Sequence, residues 1–261
     1  MTFDFPLLLT ILLIVSAVVG GLDKWYFEPR RKQIYGESAK MPKLAEYARS
    51  FFSVFLIVYI VRAFIMQPFY TPTGSLEPTL MPGDFSLVTQ FNYGLRIPVW
   101  NWKIVPIGEP KRGDIMVFQW PVNPHVDLVK RVIGLPGDHI SYINKVLYIN
   151  GKAMTQTYVG VSSDQDNADG PSWPVNVYQE NLDGAVHKIF INPKIAAQNF
   201  KDLVVPPGEY FMMGDNRDNS DDSRDWGFAA DSYILGKAEF IFFSWDPMQH
   251  RVNWSRIGTK L

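Results

Sequence analysis

Two long apolar runs open the chain, and short β-branched or aromatic runs separated by Gly, Pro, Asn and Asp fill the remainder. Residues 5–22, FPLLLTILLIVSAVVGGL, contain no charge. At about 1.5 Å per residue a helix of that length just crosses hydrocarbon. A cleaved leader needs a positive start, whereas the only early charge is Asp4, so a retained span over 1–22 is expected. Residues 50–66, SFFSVFLIVYIVRAFIM, give a second span. Arg62 lies near its far end, from where a long side chain reaches the headgroups. The alternative for this run is a buried core helix. Residues 23–49 form a predicted basic loop, with seven Lys/Arg (24, 30, 31, 32, 40, 43 and 49) against four acids (Asp23, Glu28, Glu37 and Glu46). Short basic loops stay cytoplasmic, so everything after about residue 67 is expected on the outer face of the cytoplasmic membrane.

From residue 84 the pattern changes to strands. FSLVTQF (85–91), DIMVFQW (114–120), VDLVKRVIG (126–134), HISYI (139–143) and VLYIN (146–150) are bounded by turn residues. INKV (143–146) and Asn150–Gly151 read as turns, and no stretch keeps a long 3.6 period. The expected fold is mostly β: an antiparallel β-barrel or coiled-sheet domain over 67–150 and 206–261. Residues 151–205 read as an inserted smaller lobe. It has a loop at SSDQDNADGPSWP (162–174) and a hairpin in which VNVYQE and AVHKIFI flank NLDG. The main sheet is expected to resume at EYFMMG (209–214) and to end at YILGKAEFIFFSW (233–245). WNWKIVPI (100–107), with Phe91 and Tyr93, is an aromatic-rich hairpin candidate. Trp and Tyr favour membrane interfaces, and they fill ordinary cores equally well.

Composition narrows the chemistry. A formal net charge of −1 over 261 residues gives no argument for nucleic acid. The absence of cysteine excludes disulfides, thiolate metal sites and a cysteine nucleophile. Four histidines, at 125, 139, 187 and 250, are too scattered for a His-rich metal site. His139 reads as an exposed polar residue at a strand start.

Three stretches hold candidate reactive groups. YTPTGSLEPTLMPGDF (70–85) puts Ser75 in a turn stiffened by Pro72, Gly74 and Pro78, directly after the second span. Alone, it fits a tight linker as well as a nucleophile. DLVKRVIGLPGD (127–138) sets Lys130 and Arg131 inside an apolar strand. Successive side chains of a strand face opposite ways, so the two cannot both reach solvent if one face is core. Lys130 shares its face with Leu128 and Val132, and desolvation lowers an amine pKa. A drop from about 10.4 to about 8 costs roughly 3 kcal/mol and makes a general base that works near neutral pH. A snorkelling surface lysine is the alternative. MGDNRDNSDDSRDWG (213–227) resembles a calcium loop in its acids, but an EF-hand starting at Asp218 has Ser223 at its sixth position and Ala229 at its twelfth. An ion-pair network of Asp215, Asp222 and Arg224, holding hydroxyls such as Ser220, fits better. Together the stretches have the parts of a Ser–Lys hydrolase, a variant of the Ser–His–Asp arrangement.

In their order after two spans, PTGSLEPTLMPGD, KRGDIMVF, VKRVIGLPGD and MGDNRDNSDDSRDWG resemble the motifs of bacterial type I signal peptidases (leader peptidases) in the Gram-negative two-span form. The resemblance covers about 75–245. It implies a β-rich catalytic domain on the outer face of the inner membrane that removes signal peptides from exported preproteins. It implies Ser75 as nucleophile and Lys130 as general base, with an acyl-enzyme intermediate and neither cofactor nor metal. Thr73, with the Ser75 backbone N–H, falls at the oxyanion hole, and Ser220 where a hydroxyl orients the lysine. Asp215, Asp222 and Arg224 match supporting ion pairs. Leu76, Leu80, Leu128 and Val129 match the walls of shallow apolar pockets selecting Ala-X-Ala before the cut. The implied partners are signal-peptide-bearing preproteins and membrane lipid. Departures are small: Leu76 replaces a frequent Met, Asp221 adds a charge beside Ser220, Thr71 replaces a branched apolar residue, and the lobe lacks the cysteine pair of some relatives. The rival from another class is a catalytically silent, membrane-anchored β-domain that binds exported chains or envelope partners. A self-cleaving Ser–Lys protein is a third reading, which the two spans and the lack of a DNA-binding segment oppose.

Overall fold

The computed structural model describes residues 5–36, 38–97, 101–165 and 171–261. Helix α1 (Phe5–Leu22) passes through a π-helical turn, Asp23–Phe27, into α2 (Glu28–Tyr35), and α3 (Lys43–Ile60) ends in a second π turn, Val61–Ile65. Leu7–Tyr35 and Lys43–Ile65 are each long and apolar enough to cross a membrane. The segment 23–49, expected as a loop, is therefore largely helical. Hydropathy marks where a helix can sit in lipid, not where it stops, and Arg30, Arg31, Lys32 and Gln33 are good helix formers. Asp23 accepts from Arg31 at 2.5 Å and pairs with Arg49 at 2.9 Å, and Arg49 also meets Glu28 at 2.7 Å. Gly36, at φ 73°, ends α2, the left-handed conformation glycine adopts at least cost. Glu37, counted among the loop acids, lies outside the described residues.

Residues 67–96 and 101–261 form the second compact unit. Its strands, the first beginning one residue earlier, are β1 (Met66–Tyr70), β2 (Asp84–Thr89), β3 (Leu95–Ile97), β4 (Trp102–Val105), β5 (Ile115–Trp120), β6 (Asn123–Gly134), β7 (His139–Ile143), β8 (Val146–Ile149) and β9 (Lys152–Ala153). They continue with β10 (Thr155–Gln165), β11 (Ser172–Leu182), β12 (Ala185–Ile191), β13 (Phe200–Val204), β14 (Glu209–Met213), β15 (Ala229–Ala230), β16 (Ile234–Asp246) and β17 (Arg251–Val252). The main sheet runs β1-β2-β16-β5-β6-β14-β15, with β17 on β16. Its β2–β16, β5–β16, β5–β6 and β6–β14 pairings are antiparallel.

The turns expected at Asn144 and Asn150–Gly151 join β7 to β8 and β8 to β9, and Asp183–Gly184 joins β11 to β12. The expected lobe divides. β10, β11 and β12 make their own sheet, whereas β9 and β13 join β8 and β7. The β13–β7 pairing links residues about 60 positions apart, such as Phe200 and Tyr142. Most of the loop expected at 162–174 is strand: Ser162 pairs with Val175 and Asp164 with Trp173. Residues 166–170 lie outside the described residues, as does Trp100 of the aromatic hairpin, whose β4 pairs with β3.

Both faces of the main sheet are packed. Ile115, Val117 and Val129 join Leu76, Leu80, Val88, Ala238 and Ile241 in one cluster. Met116 and Phe118, which alternate with Ile115 and Val117 along β5, and Val132 of β6 join Tyr93, Tyr210 and Met212 in another. Burial on both faces explains why β5 and β6 read as near-continuous apolar runs, without the alternation of a half-exposed sheet. It also leaves no solvent face for a charged residue in the middle of β6.

Candidate active site

The Ser75 turn links β1 to β2. Thr71 N–H donates to Asp84 O at 2.9 Å, and Gly83 N–H to Thr71 O at 2.9 Å, closing its base. Inside, Leu80 N–H donates to Leu76 O at 3.0 Å, one helical turn that drives both leucines into the core at 0% exposure. Ser75 is left half-buried and Thr73 exposed at its rim. Two clamps hold the turn from outside. Arg256 Nη2 donates to Asp84 at 2.6 Å and to Thr79 O at 2.8 Å. Thr79 Oγ1 donates to Asp215 at 2.5 Å.

Lys130 is 3% exposed. It lies opposite Met116 in the β5–β6 register, on the face of Leu128 and Val132. Its amine donates to Ser220 Oγ at 3.0 Å, and that hydroxyl donates to Asp222 Oδ2 at 2.9 Å. Burial pushes the amine down to about 8, against the upward pull of Asp222 and Asp221, and Arg224 adds to the lowering. Lys130 therefore has a hydroxyl, not a carboxylate, as its hydrogen-bond partner.

The 213–227 stretch builds the opposite wall. Asp222 caps the short helix α4 (Ser223–Trp226) in a capping box with Asp225. It takes Arg224 Nε and Nη2 at 2.8 Å each, and Gly214 N–H at 2.9 Å. Burial raises the Asp222 carboxyl, and the Arg224 and Gly214 hydrogen bonds outweigh it, so its pKa falls below the usual value. A Cβ at Gly214 would lie 2.3 Å from Ser220 Oγ and 2.4 Å from Ser75 O. Only glycine lets this backbone carry the lysine's hydroxyl partner and the Ser75 turn on one residue. Asn216 completes the junction: its N–H donates to Ser75 O at 3.1 Å and its Nδ2 to Gly74 O at 3.2 Å.

The structure thus gathers Ser75, Lys130, Ser220, Asp222 and Arg224 around Gly214. Among the described residues, no hydrogen bond joins Ser75 Oγ to Lys130 Nζ. The expected single network of Asp215, Asp222 and Arg224 is two networks. Asp215 pairs with Arg131, whose Nε and Nη2 donate at 2.7 and 2.6 Å. Burial raises the Asp215 carboxyl, but Arg131, then His187 and Thr79, bring it below the usual range. The sequence reading missed the partner of Arg131, and Thr79, Asn216 and Arg256 altogether. For Arg131 a signal existed, since a cation in a doubly buried strand needs an acid. The expected pocket also divides. Leu76, Leu80 and Val129 share a cluster, while Leu128 packs on the other face with Val132. Leu76 and Leu80 are fully buried in that cluster. His139 is exposed and meets Asp202 at 2.6 Å.

Residues 44–245 match the signal peptidase family, peptidase S26. A signal peptidase I of Pseudomonas aeruginosa is 40% identical over 287 positions, covering 99% of this chain and 99% of that protein. One from Pseudomonas fluorescens is similar at 40% identity over 99% of both chains. One from Buchnera aphidicola is 35% identical over 83% of this chain and 81% of its own.

Proposed function

The chain belongs to the signal peptidase family, peptidase S26, and from that premise we propose that it removes signal peptides from preproteins through a Ser75–Lys130 dyad. The relatives carry the name signal peptidase I, and the two apolar helices suit a membrane-anchored form of it. One observation supports the dyad above others: a buried lysine held by a hydroxyl, next to a turn that presents a serine. A binding domain has no use for an amine brought to about 8.

In this reading Lys130 Nζ takes the proton of Ser75 Oγ as the oxygen attacks the scissile carbonyl. The lysine then gives that proton to the departing amine, and the peptide remains as an ester on Ser75. A water, deprotonated by the same amine, hydrolyses the ester and frees Ser75. The Thr73 hydroxyl and the Ser75 N–H receive the developing oxyanion, each donor worth roughly 3–4 kcal/mol. Ser220 keeps the amine aimed, and Asp222 with Arg224 keeps Ser220 aimed. Reaction needs a lysine without its proton, which burial supplies at modest cost near pH 8.

The seven Lys/Arg of residues 23–49 favour the cytoplasmic side for that segment and, with it, the outer face for the Ser75 domain. Ser75 follows Met66 by nine residues, so the nucleophile meets the substrate where it leaves the bilayer. An extended substrate adds as a strand beside Ser75, which turns the residue before the cut and the one two earlier the same way. Small side chains, Ala-X-Ala, suit the shallow walls there. The test is to incubate the purified full chain in detergent with a preprotein and to sequence the new N-terminus. Cleavage after Ala-X-Ala by wild type and none by Ser75→Ala is expected; cleavage by Ser75→Ala removes the nucleophile assignment. Separately, a reporter active only outside the cytoplasm is expected to work when fused after residue 80 and to be silent near residue 40.

A further inference from the structure

Beside the Ser75 turn lies a cavity of about 350 Å³, lined by Asp164, Trp173, Asn192, Ile195, Asp218 and Asn219. Its two carboxylates differ. Asp218 is matched, by Lys145 at 2.9 Å and by Asn192 N–H at 2.8 Å. Asp164 is not. It is 2% exposed, and its Oδ2 takes only amides, Asn216 Nδ2 at 2.9 Å and Asn219 Nδ2 at 3.3 Å. Among the described residues its buried Oδ1 has no hydrogen-bond partner and Asp164 forms no ion pair. Amide donors solvate a carboxylate but leave its charge uncancelled, and a buried uncancelled charge is costly. Nearby Glu77 responds to it: burial first, and then Asp164, push the Glu77 carboxyl up to about 8.

The other walls suit what Asp164 lacks. Trp173 lines the cavity, and an indole is the aromatic ring that attracts a cation best. Ile195 gives apolar surface for the methylene stem of a long basic side chain. The cavity is also tied to the reacting centre from two sides. Asn216 links Asp164 to Gly74 O and Ser75 O. Asn219 precedes Ser220, the partner of Lys130.

We propose that this cavity is a substrate subsite for an arginine or lysine side chain carried by the preprotein within a few residues of the cut, its cation drawn by the Asp164 charge and seated against Trp173. The proposal rests on the peptidase reading and adds a specificity determinant to it.

The test uses the full chain in detergent and preproteins that carry arginine, or its neutral isostere citrulline, at each position flanking the cut in turn. At one position the arginine substrate is expected to be cleaved with kcat/KM about tenfold higher than its citrulline twin, the size of one desolvated cation contact. Asp164→Asn keeps an acceptor for Asn216 and is expected to bring that ratio close to one. Trp173→Leu is expected to lower it in part, by a different route. Equal rates for arginine and citrulline at every position overturn the proposal, as does a ratio that survives Asp164→Asn. If no substrate is cleaved, the dyad reading fails and the subsite is judged by binding alone. The eight tryptophans are then replaced by 6-fluorotryptophan, and the Trp173 signal is assigned with Trp173→Phe. A saturable shift of that signal by the arginine peptide and none by the citrulline peptide supports the subsite. No shift, or equal shifts, sinks it.

Discussion

Lys130 and Arg131 are consecutive residues of one strand, buried at 3% and 5% exposure on its opposite faces. The protein treats them in opposite ways. Arg131 receives a bidentate carboxylate from Asp215 and donates to Gly113 O at 2.7 Å. Lys130 receives a hydroxyl. Burial with a counter-charge keeps a cation as a structural tie, here between β6 and the loop after β14. Burial with only a hydroxyl in contact brings the amine down to about 8, the range the proposed base needs. The difference is chemical as well as geometric: guanidinium matches a carboxylate fork, whereas an ammonium gives up its proton when desolvated.

The most severe way to break the comparison is to make the two positions alike. Lys130→Arg places on the face of the proposed base a group that cannot accept a proton. Cleavage is expected to fall by a factor on the order of 10⁴ or more, as with other lost members of a catalytic set. Ser75→Ala is expected to match it. An active Lys130→Arg enzyme, measured by preprotein processing, ends the general-base assignment.

Stability separates the two residues next. Asp215→Asn leaves Arg131 buried without its counter-charge, and a loss of roughly 3–5 kcal/mol is expected. Lys130→Met is expected to do the reverse and stabilise by up to about 3 kcal/mol at pH 7, although it is inactive. The sign follows from the direction of the shift. The lysine falls from 10.5 to about 8 in the fold, so between those values the unfolded chain binds more protons and wild-type stability rises with pH. Below about 8 both states are protonated and the burial cost is borne in full. The gain from Lys130→Met is therefore complete below pH 8 and gone above about 10.5. Thermal melts across that range check it, and a methionine variant no more stable than wild type at pH 7 refutes the desolvation argument.

A smaller effect lies in how the amine is held. The kcat/KM profile of wild type is expected to rise with a limb near pH 8; a limb near 10 contradicts a desolvated base. Ser220→Ala removes one orienting hydrogen bond and is expected to lower the plateau roughly tenfold, with activity retained. Arg224→Ala leaves the Asp222 charge uncompensated. Because Arg224 lowers the Lys130 pKa and Asp222 raises it, the limb is expected to move to higher pH, together with lower stability. An unmoved limb in Arg224→Ala denies the electrostatic link between the two.

How far such relations can be read from sequence depends on how local they are. The burial of Lys130 was legible because strand alternation sets Leu128 and Val132 on its face, and two residues decide that. Its hydroxyl partner came only through the family resemblance. The partner of Arg131 was hidden, since Asp215 lies 84 positions away and reaches it through sheet order. The strand class of 84–150 was legible from β-branched runs and turn residues. The lobe boundary was not, because β13 leaves its sequence neighbours to pair with β7. The helicity of 23–35 was masked by charges that hydropathy scores as loop. Asp164 fell in a stretch of Ser, Asp and Asn that reads as loop, and its role depends on pairing with Trp173 across a hairpin.

The smallest expected effect again sets one face of β6 against the other, at residues 128 and 129. Val129 is 6% exposed and packs with Leu76 and Leu80, which are fully buried. Leu128 is half-buried on the lysine's face. If the Val129 face bounds the small-residue pocket, Val129→Ala deepens it by about two methyl-sized groups. At about 0.8 kcal/mol for each group newly buried by a larger substrate, processing of Val before the cut is expected to gain roughly tenfold relative to Ala. Leu128→Ala removes more volume but from the other face. It is expected to leave that preference nearly unchanged and to act through Lys130, whose lost apolar cover lets water reach the amine and moves the pH limb upward. A panel of preproteins varied at the residue before the cut, read with both variants, separates the two. A larger change of preference in Leu128→Ala than in Val129→Ala assigns the pocket to the lysine's face, and the division of labour across β6 then fails even with the dyad intact.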